Sequence, residues 1–234
     1  MEDIIEQVKN FLYIQKELYG SMRILNVDLV DTLTVERASI EAQDVKQASL
    51  ESNQLTRFYH EIKGCKNCPL GDTRSNFVFG VGNPQAQLML VGEAPGYDED
   101  LQGIPFVGRA GQLLTLMLQS IGLKREEVFI ANVLKCRPPN NRDPLPDEVE
   151  KCEPYLLKQI ELIAPRLIVA LGRFAAASLL RTQAALGKLR EEIHMYNNVP
   201  LIVTYHPAAL LRNTQLKSDA WDDLKKIQMQ LKSR

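Results

Sequence analysis

The chain has 234 residues and a mass of 26.5 kDa, with 45% hydrophobic and 24% charged residues. These ordinary globular proportions exclude a largely disordered chain, a collagenous one and a mini-protein, and the length suits one large α/β domain with an appendage. The 28 basic and 29 acidic side chains give a formal charge of −1, which by itself points to no polyanion. The total conceals a split: residues 1–56 hold 5 basic and 10 acidic side chains, a net of −5, and residues 57–234 hold 23 and 19, a net of +4. Only the larger part is suited to a polyanionic partner.

The opening residues Met1-Glu2-Asp3-Ile4-Ile5-Glu6 have neither the basic region nor the long apolar core of a signal peptide, and no apolar run reaches membrane-spanning length. The expectation is a soluble, cytoplasmic monomer with no membrane partner. Ile4, Ile5, Val8, Phe11, Leu12 and Leu18 fall near helical spacing, which predicts a helix over 3–19 with Gly20 as its stop. Residues 21–56 contain no aromatic residue, Gly or Pro; they are apolar and β-branched up to Val35 and polar beyond it. Residues 1–56 therefore read as an acidic, partly helical extension. A protein-docking arm is the sharper alternative.

From residue 57 the pattern becomes regular. A cysteine-bearing loop precedes the apolar run Gln87–Val91, a predicted strand that ends in a loop rich in Gly and Pro. The next predicted elements are a helix over Arg109–Ile121, a strand over Val128–Val133 and a helix over Pro146–Ile163. A strand over Arg166–Leu171, a helix over Arg173–Leu180, a strand over Leu201–Thr204 and a helix over Leu216–Leu231 complete the series. Alternating strands and helices imply a three-layer α/β/α sandwich whose central sheet is mostly parallel and four-stranded. Sites in such sheets lie beyond the carboxyl ends of the strands, and three polar motifs fall there: after Val91, after Val133 and after Thr204.

The four cysteines are spaced Cys65-x2-Cys68, then Cys136, then Cys152. The first pair shares one loop, and the fold would have to bring the other two to it. Four thiolates in a reducing compartment suit tetrahedral zinc or a [4Fe–4S] cluster, and inert buried thiols are the plainer reading. His60 lies nearby, but four cysteines already make a complete set.

Several stretches together resemble the family 4, iron–sulfur type uracil-DNA glycosylases. They are Gly92-Glu93-Ala94-Pro95-Gly96, Glu99-Asp100 and Gly103-Ile104-Pro105-Phe106-Val107-Gly108-Arg109-Ala110-Gly111. Asn132-Val133-Leu134-Lys135-Cys136-Arg137-Pro138-Pro139-Asn140-Asn141-Arg142 and Cys152-Glu153-Pro154-Tyr155-Leu156 follow in order. Ala170-Leu171-Gly172 and His206-Pro207-Ala208-Ala209-Leu210-Leu211-Arg212 complete the set. The likeness runs from about residue 57 to the end, and residues 1–56 lie outside it. It implies an α/β/α fold, a [4Fe–4S] cluster on Cys65, Cys68, Cys136 and Cys152 with zinc as the lesser alternative, and excision of uracil from DNA.

The residue chemistry suits that activity. Excision requires a flipped base, recognition of uracil and cleavage of the C1′–N1 bond, with positive charge growing on the sugar and negative charge on the base. Phe106 can stack on the flipped ring. Asn132 can pair with uracil N3–H and O4, where cytosine presents the opposite polarity. A neutral His206 can donate to O2. Glu93 can orient water or face the developing cation, and Glu99 and Asp100 are further candidates unless they are simply solvated.

Family 1 enzymes carry a water-activating Asp in the equivalent loop, and Ala94 occupies that place here. Gly92, Ala94 and Gly96 are expected against the substrate. The loop from His206 implies that Ala209, Leu210 and Leu211 are candidate wedges into DNA, with Arg212 near a phosphate. Backbone amides at Gly92–Gly96 and Gly108–Gly111, with Arg109, Lys135, Arg137 and Arg142, are candidate phosphate contacts. Two rivals remain. One is a relative that attaches covalently to uracil-DNA, for which the loop Cys136–Pro144 lacks a nucleophilic His. The other is a non-enzymatic metal-containing nucleic-acid-binding module, which leaves Asn132 and His206 without a purpose.

Overall fold

The computed structural model describes residues 54–233, so the helix expected over 3–19 and almost all of the acidic extension lie outside the described residues. The first element is α1 (Gln54–Ile62), followed by α2 (Leu70–Thr73), β1 (Val81–Gly82), β2 (Leu88–Gly92), α3 (Tyr97–Gln102) and α4 (Arg109–Ser120). Then come β3 (Phe129–Asn132), α5 (Pro146–Ile163), β4 (Leu167–Leu171), α6 (Arg173–Leu180) and α7 (Leu186–Leu189). The chain ends with β5 (His194–Tyr196), β6 (Val199–Thr204), α8 (Pro207–Arg212) and α9 (Leu216–Lys232).

The sheet order is β1-β3-β2-β4-β6-β5. Its four inner strands are mutually parallel, as the alternation of strands and helices requires. They read as unbroken apolar runs because both faces are covered: every residue of β2, β3 and β4 is buried. Met89, Val91, Ala131, Ile168, Ala170 and Val203 face a core shared with α1, α5, α6 and α7. Leu88, Leu90, Ile130, Val169, Leu171 and Ile202 face the other core, shared with α4, α8 and α9. The three layers follow directly.

The sheet has six strands rather than the expected four. Two short antiparallel edge strands, β1 against β3 and β5 against β6, extend it. The β5–β6 connection is a two-residue hairpin through Asn197 and Asn198, both in the left-handed region at φ 47° and 63°. Such turns require positive φ at both central residues, and Asn adopts it more readily than most. The Asn-Asn pair was the sequence signal for this hairpin; β1, only two residues long, carried none.

Candidate active site

The inner strands end at one level. Gly92 is the register partner of Asn132, and Leu171 is that of Thr204. Two strand ends thus carry the Gly92 and Asn132 motifs side by side, and the other two carry Gly172 and His206. Both glycines are required by close approach. A Cβ at Gly92 would stand 2.3 Å from Asn132 Oδ1 and 2.7 Å from Phe106 Cζ, and one at Gly172 would stand 2.8 Å from His206 Cβ. The rings of Phe106 and His206 lie 5.4 Å apart at 30°. The structure therefore brings Gly92, Phe106, Asn132 and His206 into one cluster at the carboxyl edge of the sheet.

Asn132 is 2% exposed, and its Oδ1 has no hydrogen-bond partner among the described residues. An unmade buried hydrogen bond costs about 1–3 kcal/mol, so such an atom calls for an explanation. An unpartnered acceptor beside the Phe106 ring suits a ligand N–H.

His206 caps the N-terminus of α8. Its Nδ1 accepts a hydrogen bond from the Ala208 amide at 3.1 Å. An amide can only donate, so Nδ1 is unprotonated and Nε2 carries the proton. Burial, with the positive charge of Arg212 as a lesser cause, pushes the ring pKa down to about 4. His206 is a neutral donor with a fixed tautomer.

Glu93 stands half-buried directly after Gly92. Burial first, and then the negative charge of Asp143, lift its pKa to about 7, against a lowering influence from Arg173. Ala94 beside it is half-buried and brings no titratable group.

Other expected residues fall elsewhere. Leu210 is 2% exposed in the core under α4 and α9 and cannot wedge into DNA, whereas Leu211 is 41% exposed and Ala209 half-buried. Successive residues of a helix point about 100° apart, so α8 buries Pro207 and Leu210 on one face and turns Ala209 and Leu211 away from it. The amides of Gly96 and Gly108 are not free for phosphate, because both donate to Glu99, at 3.1 and 3.2 Å. Glu99 and Asp100 are not solvated: Glu99 also accepts from Val107 N, and buried Asp100 accepts from Ser75 N and Asn76 N.

The expected basic surface is smaller than the sequence suggested. Lys135 is wholly buried, with Nζ bonded to the Asn132 carbonyl at 2.8 Å and Gln159 Oε1 at 2.6 Å. Arg142 forms a two-pronged pair with buried Glu148. Arg109 and Arg212 are exposed, and Arg137 lies over the Tyr97 ring. Tyr97 and Arg125 are residues of this region that the sequence did not mark out.

The four cysteines form no disulfide. Among the described residues no three His, Cys, Asp or Glu side chains stand close enough to hold one metal ion. The surroundings nonetheless fit sulfur as an anionic acceptor. Arg74 Nη1 donates to Cys136 Sγ at 3.0 Å, Tyr155 OH to Cys65 Sγ at 3.1 Å, and the amides of Lys135 and Asn67 to Cys152 and Cys65. Burial pushes the Cys136 thiol up, and that of Cys152 to about 11, so anionic sulfur here needs the nearby donors and a bound cation.

The match to known proteins agrees with this geometry. Residues 79–225 fit the family model described as the uracil DNA glycosylase superfamily. The chain belongs to the uracil-DNA glycosylase superfamily. The matched span runs from just before β1 to within α9, so it covers the sheet and every strand end that carries the cluster. A type-4 uracil-DNA glycosylase of Archaeoglobus fulgidus is 53% identical over 181 residues, covering 74% of this chain and 91% of that protein. Type-4 enzymes of Saccharolobus solfataricus and Thermotoga maritima are each 44% identical, over 74% and 73% of this chain and 85% and 91% of their own lengths. Among the described residues, no helix of this family member is long and apolar enough to cross a membrane.

Proposed function

We propose that this chain is a DNA-repair uracil-DNA glycosylase that hydrolyses the N-glycosidic bond of uracil and leaves an abasic site. The observation that carries the reading is the unpartnered Oδ1 of buried Asn132 at Gly92, beside the Phe106 ring, which in turn lies against a neutral His206. Uracil taken out of the stack offers N3–H to that oxygen and O4 to the Asn132 amide nitrogen, while Phe106 covers its ring. Cytosine offers an acceptor where Asn132 Oδ1 needs a donor, so it is rejected. As the C1′–N1 bond breaks, its electron pair moves to the base, and the proton on His206 Nε2 hydrogen-bonds O2 as charge gathers there. Glu93, when ionised, faces the sugar cation and takes a proton from the water that adds to C1′.

Cys65, Cys68, Cys136 and Cys152 would hold a [4Fe–4S] cluster. Four thiolates are the donor set such a cluster would take, and bound there it would supply the positive charge that anionic sulfur calls for. The cluster would tie the loop before α2 to the strand end that carries Asn132. Leu211 is the wedge that fills the gap left by the base, with Arg109 and Arg212 toward phosphates. The acidic residues 1–56 are suited to a protein rather than to DNA, and the working form is a cytoplasmic monomer.

The test uses the full chain with a single uracil placed in single-stranded, U·G and U·A oligonucleotides. Alkali-labile sites at the uracil, and none at cytosine, are expected in all three, with U·A slowest because flipping costs most there. Intact strands would overturn the reading. A uracil strand shifted on a denaturing gel would instead favour the covalent relative.

A further inference from the structure

Phe106 has a left-handed backbone, at φ 55°. Bulky residues rarely adopt this conformation, and it persists only where the surroundings impose it. Both flanking peptides are gripped by charged side chains. On the upstream side, Arg125 Nη2 donates to the Pro105 carbonyl at 2.7 Å, and its Nη1 reaches Thr115 Oγ1 at 3.4 Å. On the downstream side, Glu99 Oε1 accepts from the amides of Val107 at 3.0 Å and Gly108 at 3.2 Å.

The Phe106 carbonyl itself lies against α4 at Gly111, where a Cβ would stand 1.7 Å from its oxygen. Arg125 comes from the turn between α4 and β3, and Glu99 from α3, so the two grips are independent in sequence. Neither side chain is part of the Phe106–Asn132–His206 cluster.

We infer that Arg125 and Glu99 are positioning residues that act through Phe106: together they hold its backbone in the left-handed conformation that lays the ring beside Asn132 and His206. The inference rests on the reading of Phe106 as the residue that stacks on uracil. Without the two grips, residue 106 relaxes to an extended or helical backbone, which swings the ring off Gly92. Substrate is then still captured through the remaining contacts, but the base is held loosely as the bond breaks. The loss falls on kcat more than on KM.

A double-mutant cycle in the full-length enzyme tests this. Arg125→Ala is expected to lower kcat for uracil excision by about 10- to 100-fold with little change in KM. Phe106→Ala lowers it as well. In the Phe106→Ala background the further loss from Arg125→Ala is expected to stay within about 2-fold, because the grip then has no ring to place. Arg125→Lys, which keeps a donor for the Pro105 carbonyl, is expected to recover most of the kcat lost in Arg125→Ala. It also carries the cycle by its smaller loss should Arg125→Ala not fold. Glu99→Gln is expected to follow the same non-additive pattern. An equal loss with and without the Phe106 ring would overturn the inference, as would full activity in Arg125→Ala. If Phe106→Ala alone leaves excision untouched, the reading of Phe106 fails first, and the positioning role falls with it.

Discussion

The cluster around Asn132 and the cysteine corner lie only a few residues apart along the chain, yet they satisfy their polar atoms in opposite ways. Asn132 keeps a buried oxygen open. At the cysteine corner, the sulfurs of Cys65, Cys136 and Cys152 already receive hydrogen bonds from Arg74, Tyr155 or backbone amides. An open acceptor suits a ligand that arrives and leaves, and pre-aimed donors suit an anionic group that stays. Lys135 joins the two regions, since its ammonium fixes the Asn132 carbonyl while its amide points at Cys152. Mutation should therefore separate them: the first region should lose activity without stability, and the second should lose stability first.

The largest expected effect is at Asn132. Asn132→Ala would remove both base contacts proposed for it, and a site built to hydrogen-bond its substrate loses on the order of 10³-fold or more in kcat/KM when that pairing is gone. Its melting temperature is expected to stay level or rise, because the variant no longer buries an unpaired oxygen. A marked fall in stability would show that Asn132 is a core polar residue with an internal partner. His206→Ala should cost on the order of 10²- to 10³-fold in kcat, as the loss of one donor to a developing anion does.

At the cysteine corner, Cys136→Ala should lower the melting temperature by about 10 °C or more and bleach the brown colour expected of an iron–sulfur protein. Activity measured below the new melting point should fall far less than in Asn132→Ala. A colourless wild-type protein with one zinc per chain would replace the cluster by zinc.

The pH profile sharpens the first region alone. If ionised Glu93 is the working form, kcat/KM should fall roughly tenfold per unit below its pKa of about 7 and level off above it. Glu93→Gln should flatten that limb. His206, titrating near 4, should add no second limb between about pH 5 and 9. For stability the Glu93 shift has the reverse sign: a carboxyl whose pKa is raised on folding favours the protonated state, so the fold loses stability as pH rises from 4.5 through about 7.

How much of this was legible in the sequence depended on the kind of signal. The four parallel strands were plain, because full burial writes itself as unbroken apolar runs such as Leu167–Leu171. The Gly92, Asn132 and His206 motifs were legible because each lies at or just beyond the end of a strand in a parallel sheet, whereas Phe106, beyond α3, stood out through the family resemblance. The roles of Lys135, Arg142, Glu99 and Arg125 were not. A charge in a loop looks the same in sequence whether it faces DNA, as Arg109 is free to do, or is spent on a backbone carbonyl, as in Arg125. Leu210 and Leu211 are equally apolar, and only the seat of α8 on α4 and α9 separates the buried one from the exposed one.

That pair supplies the smallest and most selective prediction. Leu211 is held outward by the same short helix whose cap is His206. A wedge matters only where there is a stack to fill: in duplex DNA it offsets the few kcal/mol of unstacking, and in a single strand no such gap forms. Leu211→Ala should therefore slow excision from U·A duplex by on the order of 10-fold, from U·G less, and from single-stranded DNA hardly at all. Leu210→Ala instead opens a cavity in the core and should cost about 2–5 kcal/mol of stability, with no preference for the form of the DNA. Equal slowing of all three substrates by Leu211→Ala would remove it from the DNA and leave Ala209 as the remaining candidate in this loop.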